Sequence, residues 1–96
     1  MGVRCGFGVQ KARSGRYVGE WKMGNRDGFG TLFSGKGNYQ GFWKLNKQHG
    51  YGVIRYKDGN IYWGNFCEGK MNGFGEVFLS SGEVYRGNWK NGTLIK

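Results

Sequence analysis

The sequence repeats one short pattern, and this repeat constrains the fold more than any other feature of the chain. The pattern Y-x-G-x-W, with phenylalanine ending its third copy, begins at tyrosines that are 22, 23 and 23 residues apart: Tyr17, Tyr39, Tyr62 and Tyr85. A period in the twenties is typical of arrays in which each unit covers the apolar face of the next. The units that this register predicts lie in a single domain over residues 1–96, with full units at 17–38, 39–61 and 62–84 and partial units at 5–16 and 85–96.

Each unit has the pattern of an antiparallel β-hairpin. Tyr17, Gly19 and Trp21 alternate with other residues, and this period of two predicts a strand with these three on one face. Seven residues after each tyrosine stands a glycine or asparagine, which accept positive φ in a tight turn: Gly24, Asn46, Gly69 and Gly92. A second strand then opens with GFG or GYG. Further turn signals follow it at Ser14-Gly15, Gly35 and Gly37, Asp58-Gly59 and Ser81-Gly82.

The glycine content has a structural explanation. The chain has 21 glycines and no proline, but its aromatic fraction of 18% is too high for a flexible glycine-rich linker. A glycine inside a strand costs about 0.5–1 kcal/mol relative to alanine. Burying a large aromatic side chain contributes roughly 1.5–3 kcal/mol. We therefore predict that aromatic rings lie on the bare backbone of the repeated glycines.

The sequence contains no motif for nucleotide binding or catalysis. Gly28-Phe29-Gly30 would need a third glycine where Phe33 stands, and a following helix to receive phosphate. The single histidine, His49, occupies a polar turn slot, and the six carboxylates form no recurring pair. We predict no enzymatic activity, no catalytic residue and no cofactor.

The two cysteines are predicted to be free thiols. About five strand spacings separate Cys5 from Cys67, or ~24 Å, whereas a disulfide needs Cα atoms within about 7 Å. Free thiols are consistent with a reducing compartment. With one histidine and no C-x-x-C, we predict no metal site.

The pattern Y-x-G-x-W followed by G-x-x-x-G-x-G resembles the MORN repeat (membrane occupation and recognition nexus) over residues 5–96. The resemblance implies an all-β solenoid of stacked antiparallel hairpins, forming one elongated twisted sheet with a groove along one face. Asn46 replaces a turn glycine, and Phe66 replaces the tryptophan. The segment from Gly30 to Tyr39 is one residue shorter than the segment from Gly52 to Tyr62, which leaves open whether the second strand is regular near Phe33 and Gly35.

Basic residues outnumber acidic ones by 15 to 6, for a net charge of +9, and several recur at one place in the unit. The basic rim predicted beside the first strand and its turn consists of Lys22, Arg26, Lys44, Lys47, Lys70 and Lys90. The cations of the opposite rim are Arg13, Arg16, Lys36 and Lys57. Such lysines can bind an acidic partner, or can only keep an exposed sheet soluble and guard its margins.

The favoured hypothesis is a protein-interaction module in which an aromatic groove with basic rims receives an acidic or amphipathic partner segment. The groove residues are Tyr17, Trp21, Tyr39, Trp43, Tyr62, Phe66, Tyr85 and Trp89. The same rings can instead serve to hold the units together, since large apolar residues are more often core than site.

The alternative is an adaptor that binds anionic phospholipid at a membrane surface through its lysines, each contributing about 1 kcal/mol. Nucleic acid binding is less favoured, because the rings that would stack on bases are needed to cover glycine backbone. No apolar run approaches the roughly 18 residues that span a bilayer. We expect a cytoplasmic protein, with the resemblance adding association with membrane or cytoskeleton.

The terminal half-units also predict self-association. An uncovered strand at either end of a sheet tends to pair with another strand. We expect homo-oligomers formed through these ends, weakly guarded by Arg4 and Lys96, unless the chain is a piece of a longer array.

Overall fold

The structure is a computed structural model, and it describes residues 5–13 and 15–95. Arg4, Ser14 and Lys96, which were named in the predictions from sequence, lie outside the described residues. The described residues form one sheet of nine antiparallel strands in chain order, and they contain no helix. The strands are β1 Gly6–Ala12, β2 Gly15–Lys22, β3 Asn25–Ser34, β4 Gly37–Lys44, β5 Lys47–Tyr56, β6 Ile61–Cys67, β7 Lys70–Phe78, β8 Val84–Lys90 and β9 Thr93–Ile95. The all-β prediction is confirmed.

The pairs β2–β3, β4–β5 and β6–β7 repeat one register. In the first pair Tyr17 lies opposite Leu32 and Gly19 opposite Gly30, and a β-bulge follows before Trp21. The glycine pair and the bulge recur at the same places in the other two hairpins. The period of the sequence is therefore the period of the hairpin.

Two-residue turns join the strands within each hairpin. At Leu45-Asn46 both residues have positive φ, 49° and 71°, which is the pattern of a type I′ turn. Met23-Gly24, Glu68-Gly69 and Asn91-Gly92 repeat it. The predicted turn positions are confirmed.

The missing residue of the first unit falls in a loop and leaves the strand regular. Two residues join β3 to β4 and four join β5 to β6, because one residue is missing and β4 begins two residues before its tyrosine whereas β6 begins one residue before its own. Strands β3 and β5 are both ten residues long. The strand is regular at Phe33, which pairs normally with Asn38, and Gly35 lies in the loop that follows it. A surface loop accepts a deletion that would reverse every following side chain of a strand.

The sheet is a single layer with two different faces. The described molecule measures 49 × 24 × 16 Å, and its long axis crosses the strands. We call the side that carries Tyr17, Trp21 and their counterparts the ring face. We call the opposite side, which carries Phe29 and Phe42, the outer face. The buried hydrophobic side chains of the described residues all belong to the ring face: Tyr17, Trp21, Tyr39, Trp43, Tyr62 and Phe66.

Candidate binding surfaces

The rings of the ring face form a continuous edge-to-face ladder along the sheet. Trp43 contacts Tyr39 of its own unit and Tyr17 of the preceding unit, with ring centroids 5.1 and 5.4 Å apart. The same pattern continues from Tyr39 through Phe66 and Tyr62 to Trp89. T-shaped pairs at this separation are favourable for aromatic rings. The ladder therefore joins each hairpin to the next.

The ladder is stabilised by glycines beneath the rings and by hydrogen bonds at their edges. A Cβ on Gly30 or Gly52 would overlap the ring of Tyr17 or Tyr39, respectively. The Tyr17 hydroxyl donates to the Glu20 carbonyl oxygen at 3.0 Å, and Trp43 Nε1 donates to the Gly30 carbonyl oxygen at 3.2 Å. Burial raises the pKa of Tyr17 to about 12, although nearby Arg26 acts in the opposite direction. Burial likewise raises the pKa of Tyr62 to about 12 and also raises that of Tyr39.

The eight predicted groove residues lie on one face, and all but Tyr85 belong to the ladder, but six of them are only 1–7% exposed. Their faces pack on glycine backbone and on one another, which leaves little area for a partner. Tyr85 is 47% exposed, and Trp89 is partly buried. The role of the eight in partner binding stays a prediction, and any contact on this face would concentrate at its β8 end.

Sequence reasoning missed a second set of aromatic residues, on the outer face. We call these five residues the outer stripe: Phe29, Phe42, Tyr51, Trp63 and Phe74. Four of them are 43–48% exposed, and Trp63 is partly buried. Strand alternation could have identified them. The ring in GFG or GYG must point away from the face that its glycines share, and Phe42 and Trp63 each stand between two residues of the ring face.

Ring contacts divide the outer stripe into two groups. Phe29 and Phe42 meet across β3 and β4 at 5.4 Å, while Trp63 contacts Tyr51 at 5.5 Å and Phe74 at 6.3 Å. Phe7 on β1 extends the line and is 73% exposed. Exposed aromatic rings gathered in one line are typical of interaction surfaces.

The five lysines of the predicted basic rim lie along the side of the sheet where the hairpin turns stand, which we call the turn margin, and the prediction needs two corrections. Lys22, Lys44 and Lys90 are exposed at the ends of their strands, and Lys47 and Lys70 are exposed at the starts of theirs, not in the turns. Arg26 does not occupy the position that Lys47 has in the next unit. Lys47 pairs with Lys44, whereas Arg26 pairs with Trp21 on the ring face. Its guanidinium lies 4.7 Å from the ring centroid of Trp43, and burial lowers the pKa of Arg26. Arg26 therefore covers the ladder instead of extending the rim.

Cations also mark the other margin of the sheet. Lys11 and Arg16 pair directly across β1 and β2, and Arg16 stacks on Phe33 at 4.6 Å. A shallow depression of about 510 Å³ lies beside them, with Arg13 at its edge. Lys36, Arg55 and Lys57 continue this exposed margin.

The acids of the outer face already have partners. Glu20 accepts a hydrogen bond from the Phe29 amide at 2.6 Å, and Asp27 accepts one from the Leu45 amide at 3.3 Å. Glu76 forms a salt bridge with Arg86 at 2.6 Å, the one ion pair within residues 5–13 and 15–95. Because no lysine of either margin forms an ion pair with another described residue, these lysines are available to an external anion.

The described part of the chain carries no cluster of metal-ligating side chains. Within it, no group of three His, Cys, Asp or Glu side chains could hold a metal ion. Cys5 and Cys67 are both exposed free thiols. None of the described segments is a helix that could cross a bilayer.

The comparisons with known proteins agree with this architecture. The model of the MORN repeat matches residues 17–38, 39–61 and 85–94. These stretches cover more than half of the chain, which therefore belongs to the MORN repeat family. MORN repeats are generally modules for interaction with proteins or membranes, and proteins that carry them are often associated with membranes or the cytoskeleton. No curated protein matches the chain significantly.

Proposed function

We propose that the chain is a non-enzymatic interaction module that binds an acidic segment of a partner protein. The observation that carries this proposal is the line of exposed rings between two margins of unneutralised cations. Rings such as Phe42 supply apolar contact area, and exposed lysines such as Lys44 attract and orient an acidic chain. The sequence-predicted groove on the ring face is the other surface available to such a partner, through Tyr85 and Trp89.

Display libraries of acidic and neutral peptides test this proposal. The acidic library combines Glu and Asp with apolar residues, and the neutral library replaces those acids by Gln and Asn. We expect binders from the acidic library only. The triple variant Lys22→Glu, Lys44→Glu, Lys90→Glu should weaken them more than tenfold, since it reverses three attractive charges. The matched variant with arginine at these positions keeps the charge and should keep the binding. Equal binding from the neutral library would contradict the proposal.

The second candidate function is binding of anionic phospholipid. It is favoured by the five exposed lysines along the turn margin: Lys22, Lys44, Lys47, Lys70 and Lys90. Attraction of each lysine to a charged surface is worth about 1 kcal/mol and is screened by salt. Sedimentation with vesicles of phosphatidylcholine and phosphatidylserine, at low and high salt, separates the two. Vesicle binding that vanishes in high salt, together with no peptide binding, would favour the lipid. A peptide held by apolar contacts as well should remain bound in high salt with reduced affinity.

A further inference from the structure

We propose that the outer stripe receives an acidic amphipathic α-helix, which lies across the strands with its apolar side on the rings. The inference rests on the proposed function and adds the site and the conformation of the partner segment.

The length of the outer stripe suits a helix of several turns. Phe29 stands on β3 and Phe74 on β7, four strand spacings apart, or ~19 Å at about 4.8 Å each. Including Phe7 on β1 extends the line to ~29 Å. At 1.5 Å per residue, a helix of about 13 to 19 residues covers these distances.

The spacing of the rings along this line also matches a helix. Each repeat unit advances by two strands, or ~9.6 Å. Seven residues of α-helix advance by about 10.5 Å, so residues i and i+7 on one helix face stay nearly in step with the units. An extended chain laid on the same line would repeat its side chains every ~6.6 Å and would fall out of step.

The distance between the two basic margins of the sheet also suits a helix. Lys44 lies at one margin, and Asn38, opposite Arg55, lies six residues away on the same strand. This is ~20 Å at about 3.4 Å per residue. A helix with its side chains is about 10–12 Å across. Acidic side chains on both flanks of such a helix would therefore reach towards Lys44 on one side and Arg55 on the other.

Charge decides against a second copy of the chain as the occupant. Each chain carries +9. Two outer faces packed together would bring the lysine margins into proximity, and the acids of this face are already bonded within the chain. Like charges in contact oppose association, whereas the carboxylates of an acidic partner would neutralise the cations of both margins.

The experiment compares two display libraries of 19-residue acidic peptides with identical composition. In one, apolar residues recur at helical spacing; in the other, the same residues are shuffled to break that spacing. The chain variant is Phe42→Asn with Trp63→Val, which copies the residues that other units carry in the same slots, Asn65 and Val18. The variant Tyr85→Ala tests the ring face as the rival surface, because Tyr85 and Phe42 are both 47% exposed but lie on opposite faces. All variants are first checked for a wild-type circular dichroism spectrum.

We expect binders from the helical library, a loss of about tenfold or more in Phe42→Asn/Trp63→Val, and little change in Tyr85→Ala. Bound peptides should also gain helical circular dichroism. Equal binding from the shuffled library, or loss of binding in Tyr85→Ala only, would overturn this inference while leaving the proposed function standing. If no acidic peptide from either library binds, the proposed function fails as well.

Discussion

At the scale of single residues, the determining feature is the glycine beneath each tyrosine. Tyr39 lies on Gly52, and the two glycines Gly41 and Gly52 face each other across the hairpin, so no Cβ fits between ring and backbone. The glycine raises the cost of ordering the strand, and the buried ring offsets that cost.

We expect Gly52→Ala to lower the free energy of unfolding by about 2–3 kcal/mol, because its methyl group would displace the Tyr39 ring. Gly35→Ala is the matched control, since a Cβ there meets nothing within 4 Å. It should leave stability within about 0.5 kcal/mol of the wild type. Chemical denaturation monitored by tryptophan fluorescence measures both, and equal effects would contradict the role of the ring.

At the scale of the hairpin, the turns connect units as well as strands. The Asn46 amide donates to the Arg26 carbonyl oxygen of the preceding unit at 3.0 Å, and Gly69 and Gly92 repeat this bond with Gln48 and Met71. The first turn residue also has positive φ, although three of the four turns carry Met23, Leu45 or Glu68 there. These residue types adopt positive φ at a cost of roughly 1–2 kcal/mol.

Leu45→Asn should therefore stabilise the protein by about 0.5–1 kcal/mol, because asparagine tolerates this backbone conformation and already occupies the slot as Asn91. Leu45→Ala removes the same exposed side chain but keeps the strain, so it should bring no gain. Thermal unfolding of the two variants side by side gives the comparison. A gain shared equally by both would point to the lost leucine and not to the turn.

At the scale of the whole molecule, the ladder makes the sheet one continuous structure without a second layer. Rings such as Trp43 are buried by their own unit and by a neighbouring one. Each unit is therefore stabilised by contacts with the next unit along the 49 Å axis. Three tyrosines of the ladder, Tyr17, Tyr39 and Tyr62, have pKa values that burial raises.

Stability should fall as the pH rises from about 10 to 12. The unfolded chain releases its phenol protons near the ordinary pKa of 10.0, whereas the folded chain keeps those of Tyr17 and Tyr62 until about 12. The contribution is thus complete below pH 10 and is lost through this window. Tyrosinate absorbance should appear together with unfolding by circular dichroism. The variant Tyr17→Phe/Tyr62→Phe corrects for lysine titration and should lose less stability over the same window.

Most of the fold could be predicted from the sequence, but much of the candidate surface could not. The period, the strand alternation and the turn glycines are local signals, and the structure confirms the hairpins that they indicate. Arg26 shows the limit: counting from the tyrosine placed it near Lys47, yet the register places it over Trp43. A shift of one residue changes the face of a strand side chain, and charge alone does not reveal it.

The stacked β-hairpins follow from local sequence, because backbone conformation at glycines and the two-residue period are properties of neighbouring residues. The burial of particular aromatic rings is fixed only when the units assemble. Trp43 and Phe42 are adjacent in the sequence, but Trp43 is enclosed by tyrosines of two units, whereas nothing among the described residues covers Phe42 to the same extent. Burial depends on what neighbouring units place over a ring, and that is a property of the assembled sheet.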